Sequence, residues 1–398
     1  MNAAAQLDSG HGLTSDVISA DPVRAWLRTQ HIHQKRPRRR VSFFFDSAEV
    51  VVQSRSARVI AYLADQIARH HPSVELESGQ NPGCIFEIHV SDSAVKDAVS
   101  AFSGGDLCLP QPHGRTESGQ FIHLQWTGAE CFLRPSDLFV SLTLQTPPLV
   151  DIIIVRAPSW RSSHPFRNRR KTIRPLPESR LAHKGSYQNE SSIDLADVVK
   201  IMTIRAGGHF CLHAAAVASG DRGALLMGPS GCGKTTTALA LLRDGFELLS
   251  DELSVLKESA GHAYITGFRC EPRFVGRPPD TLAGLEQTLT SKNKTKIPWF
   301  LPYDLAPVKE TRWLKPAALF FLRIEPGAIE HRIDRIMQEE AYIRITDQIL
   351  DPTNVFRQAS QAQAVISLVQ ECPAYELIMG RNLTSLSRAV HAVMEDAH

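Results

Sequence analysis

The segment Gly228-Pro229-Ser230-Gly231-Cys232-Gly233-Lys234-Thr235 constrains this chain more than any other, because few backbones can pass through it. Its spaced glycines let successive N–H groups turn inward and cradle the oxygens of a phosphate. An apolar run, Ala224 to Met227, leads into the segment as a strand. Lys234 to Arg243 leaves it as a helix whose N-terminus faces the anion and whose end is marked by Gly245. Phe246 to Leu249 then returns as a strand and closes on Ser250-Asp251-Glu252. Strand, loop, helix, strand and a terminal carboxylate form the pattern with which open α/β sheets present ligands at the C-terminal ends of their strands.

The residue types assign provisional roles. Gly228, Pro229, Ser230, Gly231, Cys232, Gly233, Lys234, Thr235 and Thr236 would bind the nucleotide phosphates. Lys234 would reach the β/γ-phosphates, and Thr235 would offer its hydroxyl to magnesium. Asp251 reads as a surface acid at a strand end, or as the carboxylate that holds magnesium or takes a proton from an attacking hydroxyl. Glu252 is a lesser metal candidate, since a continuing strand turns it to the other face. His213 lies in the apolar run Leu212 to Ala218. It is either a hydrogen-bonded core histidine or, because that run pairs with the one feeding the loop, a site residue. Ser219 to Gly223 joins the two runs and predicts a hairpin.

At 398 residues the chain has room for two domains, or for one domain with a substantial extension. Its 44 Lys and Arg against 42 Asp and Glu argue against nucleic acid or a membrane surface as the partner of the whole protein. Locally the balance breaks, in one basic run from Lys35 to Arg40 and another from Arg161 to Arg174. Such runs are usually solvated. The second could also recruit an acidic peptide. Seven cysteines without a Cys-x-x-Cys pair make neither a disulfide framework nor a zinc site. The longest apolar run, Leu149 to Val155, is far too short to span a bilayer, and the N-terminus lacks a signal peptide's order. A cytoplasmic location is the expectation.

The pattern divides the chain into a mobile basic tail (1–40), a small α+β domain (41–160), a basic linker or loop (161–190) and the phosphate-loop domain (191–398). In the first domain, Val41 to Val52 reads as a β-rich stretch, strands are expected at Cys84 to Val90, Phe121 to Gln125 and Leu138 to Leu144, and the apolar, β-branched Leu149 to Val155 closes the domain. A helix is expected through Ile60, Leu63, Ala64 and Ile67. Another begins at Ile193, with a capping-box spacing between Ser191 and Asp194, and stops at Gly207-Gly208.

Leu212 to Leu256, LHAAAVASGDRGALLMGPSGCGKTTTALALLRDGFELLSDELSVL, resembles the kinase domain of HPr kinase/phosphorylase, and more closely the HPr-kinase-related kinases of bacterial biosynthetic gene clusters. The shared elements are the histidine before the loop, the loop's own form and the Ser-Asp-Glu end of the next strand. Pro272 to Val275, Lys296, Ala317 to Gly327, Pro373 to Leu377 and Phe43 to Pro72 resemble further segments of those relatives. The resemblance implies an α/β fold of the HPr kinase/phosphoenolpyruvate carboxykinase type, preceded by a smaller α+β domain. It implies transfer of the γ-phosphoryl group of ATP, with magnesium, to a hydroxyl of a peptide, a protein or a small metabolite, in a biosynthetic or tailoring pathway.

By position, Asp251 would be the base and a magnesium neighbour, His213 would sit beside the phosphates, and Arg273 and Lys296 would neutralise the transferred group unless they are solvated loop charges. Such relatives commonly assemble, so a homo-oligomer is an open expectation. Where the bifunctional enzymes carry Glu-Ile-Arg-Gly-Leu-Gly, this chain has Gly267 to Arg273 in a different sequence. The resemblance therefore does not extend to phosphorylase activity or to HPr as substrate. A P-loop NTPase or regulatory nucleotide-binding protein without a hydroxyl acceptor is the alternative, although no switch loop or water-positioning residue is recognisable.

Overall fold

The computed structural model describes residues 39–46, 48–68, 82–91, 114–118, 121–126, 129–134, 138–143, 147–155, 195–268, 273–274, 299–300, 312–325, 327–350, 358–383 and 385–396. The tail before residue 39, the basic linker, the capping-box pair Ser191 and Asp194, and Lys296 lie outside the described residues. The architecture is mixed α/β, with two eight-stranded sheets, a two-stranded ribbon and six α-helices among the described residues.

The first sheet opens with the hairpin β1 (Arg39–Phe45) and β2 (Ala48–Ser54), turned at Asp46, whose φ of 50° is rare for a non-glycine. Helix α1 (Ala57–Leu63), continued by a π turn to Ala68, buries Val59, Ile60, Leu63 and Ile67. Strands β3 (Cys84–Ser91), β4 (Gly114–Ser118), β5 (Phe121–Trp126), β6 (Ala129–Arg134), β7 (Leu138–Thr143) and β8 (Leu149–Val155) complete it in the order β1-β2-β3-β8-β7-β6-β5-β4. The expected strands are present. β4 and β6 are additions, and their sequences, GRTES and AECFLR, lack the clean alternation that marks a half-buried strand.

Helix α2 (Leu195–Ala206) leads into the second sheet and ends before Gly207-Gly208 as its sequence implies. Strand β9 (Phe210–Ser219) and β10 (Arg222–Met227) form the expected hairpin. Helix α3 (Lys234–Arg243) returns the chain to β11 (Glu247–Ser250), β12 (Leu253–Ser259) and β13 (His262–Gly267). After the ribbon β14 (Arg273–Phe274) and β15 (Trp299–Phe300) come β16 (Lys315–Ile324), β17 (Arg332–Ile336), α4 (Gln338–Thr346), α5 (Gln358–Glu371), β18 (Ala374–Met379) and α6 (Leu386–Asp396).

The sheet order is β13-β12-β9-β10-β16-β18-β17. Its centre, β10-β16-β18, is parallel, and β9, β12, β13 and β17 are antiparallel to their neighbours. Strand β11 pairs with β9, further along the edge that β12 also uses. Alternation sends Ala215 and Val217 of β9 into one layer with Leu239 and Leu241 of α3 and Leu386, Val390 and Met394 of α6. Ala214, Ala216 and Ala218 enter the opposite layer with Ala341 and Ile345 of α4 and Ala364, Val365 and Leu368 of α5. The alanines let helices approach both faces of this strand.

A third core cluster joins the two sheets. Phe43, Phe45, Val50 and Val52 pack with Val199 and Met202 of α2 and with Leu253, Val255 and Phe268. Phe268 stacks on Phe45 at 5.0 Å and is fully buried, which contributes about 1.5–3 kcal/mol.

Candidate functional site

The phosphate loop leaves β10 at its C-terminal end. Gly228 adopts φ 140°, and a Cβ there would lie 2.8 Å from Cys232 Sγ and 3.1 Å from Leu322 O, so the first turn admits only glycine. Gly233, at φ 98°, is the N-cap of α3 and starts its ladder by accepting from Thr237 N at 2.8 Å. Between them Pro229, Ser230 and Gly231 are exposed, leaving the backbone open to an incoming anion at the helix N-terminus.

The Lys234 side chain turns back over this loop. It is buried, and Nζ donates to Gly228 O at 2.7 Å and Pro229 O at 3.3 Å. A buried ammonium held by neutral carbonyls is stabilised further by a negative charge brought within reach. Cys232 is buried beneath the loop. Burial raises its thiol above the ordinary value, against the lowering effects of Lys234 and of backbone hydrogen bonds.

The carboxylate approaches from two strands away. The chain kinks between β11 and β12 at Asp251-Glu252, and both strands lie along β9, Ser250 opposite Ala216 and Leu253 opposite His213. The Ser250 hydroxyl accepts from Leu253 N at 3.0 Å, and Ser254 Oγ donates to Ala214 O at 2.8 Å, clamping both sides of the kink. Gly267, at the end of β13, presses on it from outside. A Cβ there would fall 2.2 Å from Leu249 O and 2.5 Å from Ser250 Cβ. Asp251 is 2% exposed; its Oδ1 is enclosed and takes no hydrogen bond, while the residue has interactions elsewhere. Glu252 points outward and is exposed.

His213 lies on β9 between kink and loop, since Ala214 is opposite Met227, the residue before Gly228. It feels both sides. Burial lowers the imidazole's pKa, the Lys234 charge lowers it further, and Glu252 opposes both. Its backbone N–H donates to Gln348 O at 2.7 Å. With its amide nitrogen facing the acceptors, Gln348 also donates to His213 O and Gly228 O, each at 3.2 Å.

The segment after α4 thus ties the histidine strand to the phosphate loop, helped by the bridge between Leu212 and Ile349 and by Leu350 N donating to Cys211 O at 3.1 Å. Gln348 and Gly267 have no signature in the sequence; one follows an ordinary amphipathic helix and the other ends a strand. Of the remaining candidates, Arg273 lies on β14 opposite Phe300, with its backbone alone described.

The oxygen donors present, the Asp251 carboxylate and the half-buried Thr235 hydroxyl, suit magnesium, which accepts few protein ligands and completes its shell with phosphate and water. Among the described residues no group of three or more His, Cys, Asp and Glu side chains converges as a metal cluster. No helix among them is long and apolar enough to cross a membrane.

No family model and no curated protein matches the chain. Among solved structures, the Hpr(Ser) kinase/phosphatase from Coxiella burnetii matches over 47% of this chain and 94% of its own, at 11% identity and a TM-score of 0.24. A likeness of that size carries no argument about chemistry, so the reading of the site rests on its own residues.

Proposed function

We propose that this chain is an ATP-dependent kinase of the HPr kinase type that transfers the γ-phosphoryl group to a hydroxyl of a serine- or threonine-bearing peptide, a protein or a small metabolite. The observation that carries the reading is the arrangement across three adjacent strands: phosphate loop after β10, His213 on β9, buried Asp251 at the β11–β12 kink. A loop alone serves any triphosphate; a buried carboxylate on the far side of the histidine strand supplies a base.

In the reaction the loop's N–H groups and the α3 N-terminus hold the phosphate chain, and Lys234 exchanges its carbonyl partners for β- and γ-oxygens. Asp251 and Thr235 would hold magnesium, which supplies neutralisation of the charge on those oxygens. The acceptor oxygen attacks the γ-phosphorus as its proton passes to Asp251. The new O–P bond forms as the bridging bond to the β-phosphate breaks, and ADP leaves with that bond's electron pair. His213, whose pKa burial and the Lys234 charge lower, can hydrogen-bond the transferred group.

The test is incubation of the protein with ATP, magnesium and a panel of hydroxyl-bearing peptides and metabolites, read by an 80-Da mass shift of the acceptor, roughly the mass of one phosphoryl group. Lys234→Ala should abolish transfer. Asp251→Asn should lower kcat by about 10²–10⁴-fold while nucleotide still binds. Full activity in Asp251→Asn, or ATP hydrolysis that no acceptor stimulates, would remove the kinase reading.

A further inference from the structure

We infer that Ile324 is the platform on which the base of the bound nucleotide rests. The inference depends on the phosphate loop proposed above. Strand β10 has two neighbours, β9 and β16. Asp251, which in the proposed reaction takes the acceptor's proton at the γ-phosphate, lies on the β9 side, so the distal end of a bound triphosphate would lie there. The nucleoside must then leave the loop on the β16 side. The pairing of Met227 with Phe321 carries β16 three residues past the end of β10, through Leu322 and Arg323 to Ile324. Leu322 O borders Gly228, and Ile324 Cδ1 lies 3.8 Å from where a Gly233 Cβ would be.

At this position sits a large aliphatic side chain that is 54% exposed, at the mouth of a loop otherwise made of small and polar residues. Its burial elsewhere would be routine, because the preceding residues of β16, Leu319 to Leu322, are all in the core. The described chain beyond it is hydrogen-bonded to its neighbour. Ala328 O and Ile329 O accept from Arg381 N and Asn382 N, both at 3.1 Å, so the β16–β17 connection is stitched to the chain leaving β18. His331 spans the same seam: Nδ1 accepts from Gly380 N at 3.1 Å, leaving Nε2 to donate to Asn382 O at 2.7 Å. Ile324 pairs with Met379, one residue before this seam. A flat ring leaving the loop along β16 would therefore meet this exposed aliphatic surface and cover it.

The occupant is tested by separating base from phosphates. Calorimetry compares ATP with inorganic tripolyphosphate on wild type, Ile324→Ser and Ile324→Leu, alongside light scattering and thermal unfolding. The serine variant should weaken ATP at least fivefold, leave tripolyphosphate unchanged, unfold at the wild-type temperature and keep the wild-type mass; leucine should restore ATP. Unchanged ATP affinity in Ile324→Ser overturns the platform, and a shift in mass alone would assign the residue to a contact between copies instead. Wild-type protein that binds tripolyphosphate but gains nothing from the nucleoside refutes the platform and leaves the loop standing. Binding of neither removes both.

Discussion

Gly267→Ala tests how the carboxylate is held. The added Cβ would lie 2.2 Å from Leu249 O, 2.4 Å from Leu249 C and 2.5 Å from Ser250 Cβ. Two of these are backbone atoms, so no rotamer change relieves the clash, and β13 must part from β11 by about 1 Å to restore normal contact. Overpacking of this kind costs about 1–3 kcal/mol, and the backbone partners place it toward the upper end. The displaced residues immediately precede Asp251, and a misplacement of about 1 Å in a reacting group costs on the order of 10²-fold in rate.

Gly261→Ala is the matched control. Gly261 has φ 82° with nothing within 4 Å, so alanine there carries a left-handed strain of about 1–2 kcal/mol without touching the kink. Denaturant unfolding and kcat, measured on both variants, separate the effects. Both should lose stability, and Gly267→Ala alone should lose about two orders of magnitude in kcat. Equal kcat in the two variants would refute the claim that this glycine sets the position of Asp251.

Asp46 ties the first sheet to the second, accepting from Trp313 Nε1 and pairing with His209 Nε2 at 2.9 Å, and Asp46→Ala should cost about 1.5–3 kcal/mol in urea unfolding at pH 7. Burial pushes its carboxyl up, but the bonds to Trp313 and His209 and the charges of His209 and Lys257 outweigh it and hold the pKa below the ordinary value. The unfolded chain therefore takes up this proton first as pH falls, and the contribution, complete above about pH 4, is lost in the acid range; Asp46→Ala should flatten that part of the stability profile. His213, with its pKa lowered by burial and by Lys234, follows the same sign at higher pH. Its neutral burial favours the fold above about pH 6.5 and less below, so His213→Gln should narrow the stability difference between pH 7.5 and 5.5.

What the sequence made legible is what local chemistry decides. Helix α3 runs from Lys234 to Arg243 as expected, because Gly233 opens it and Gly245, at φ 98°, closes it within one turn of the last residue. The β9–β10 hairpin is equally local, since its turn at Gly220-Asp221 is written in five residues. The partner of β11 is not written there. A strand returning from a phosphate-loop helix carries no mark that it will pair with β9 instead of joining the parallel centre, and that choice alone places Asp251 across the histidine strand. Gln348 was illegible for the same reason: its two carbonyl partners lie more than a hundred residues earlier. The edge strand β4, GRTES, offers no apolar alternation to read.

The distant pairing also gives the first sheet a part in the site. Strand β12 begins two residues after Asp251, and its inward side chains Leu253 and Val255 rest on Phe43, Phe45 and Val50 through Phe268. Phe268 N donates to Leu253 O at 3.0 Å, so the aromatic that stacks on the first sheet is bonded to the first residue of the strand that leaves the kink. Gly267, its neighbour, presses on the other side of the same kink. The carboxylate is thus held between a glycine contact and an aromatic stack only one residue apart, and the stack is completed by a hairpin more than two hundred residues upstream. A kink between two short strands has little to hold it on its own; backed by a shared core it is held in place, as the proposed role of Asp251, taking a proton from a hydroxyl at hydrogen-bond distance, would require.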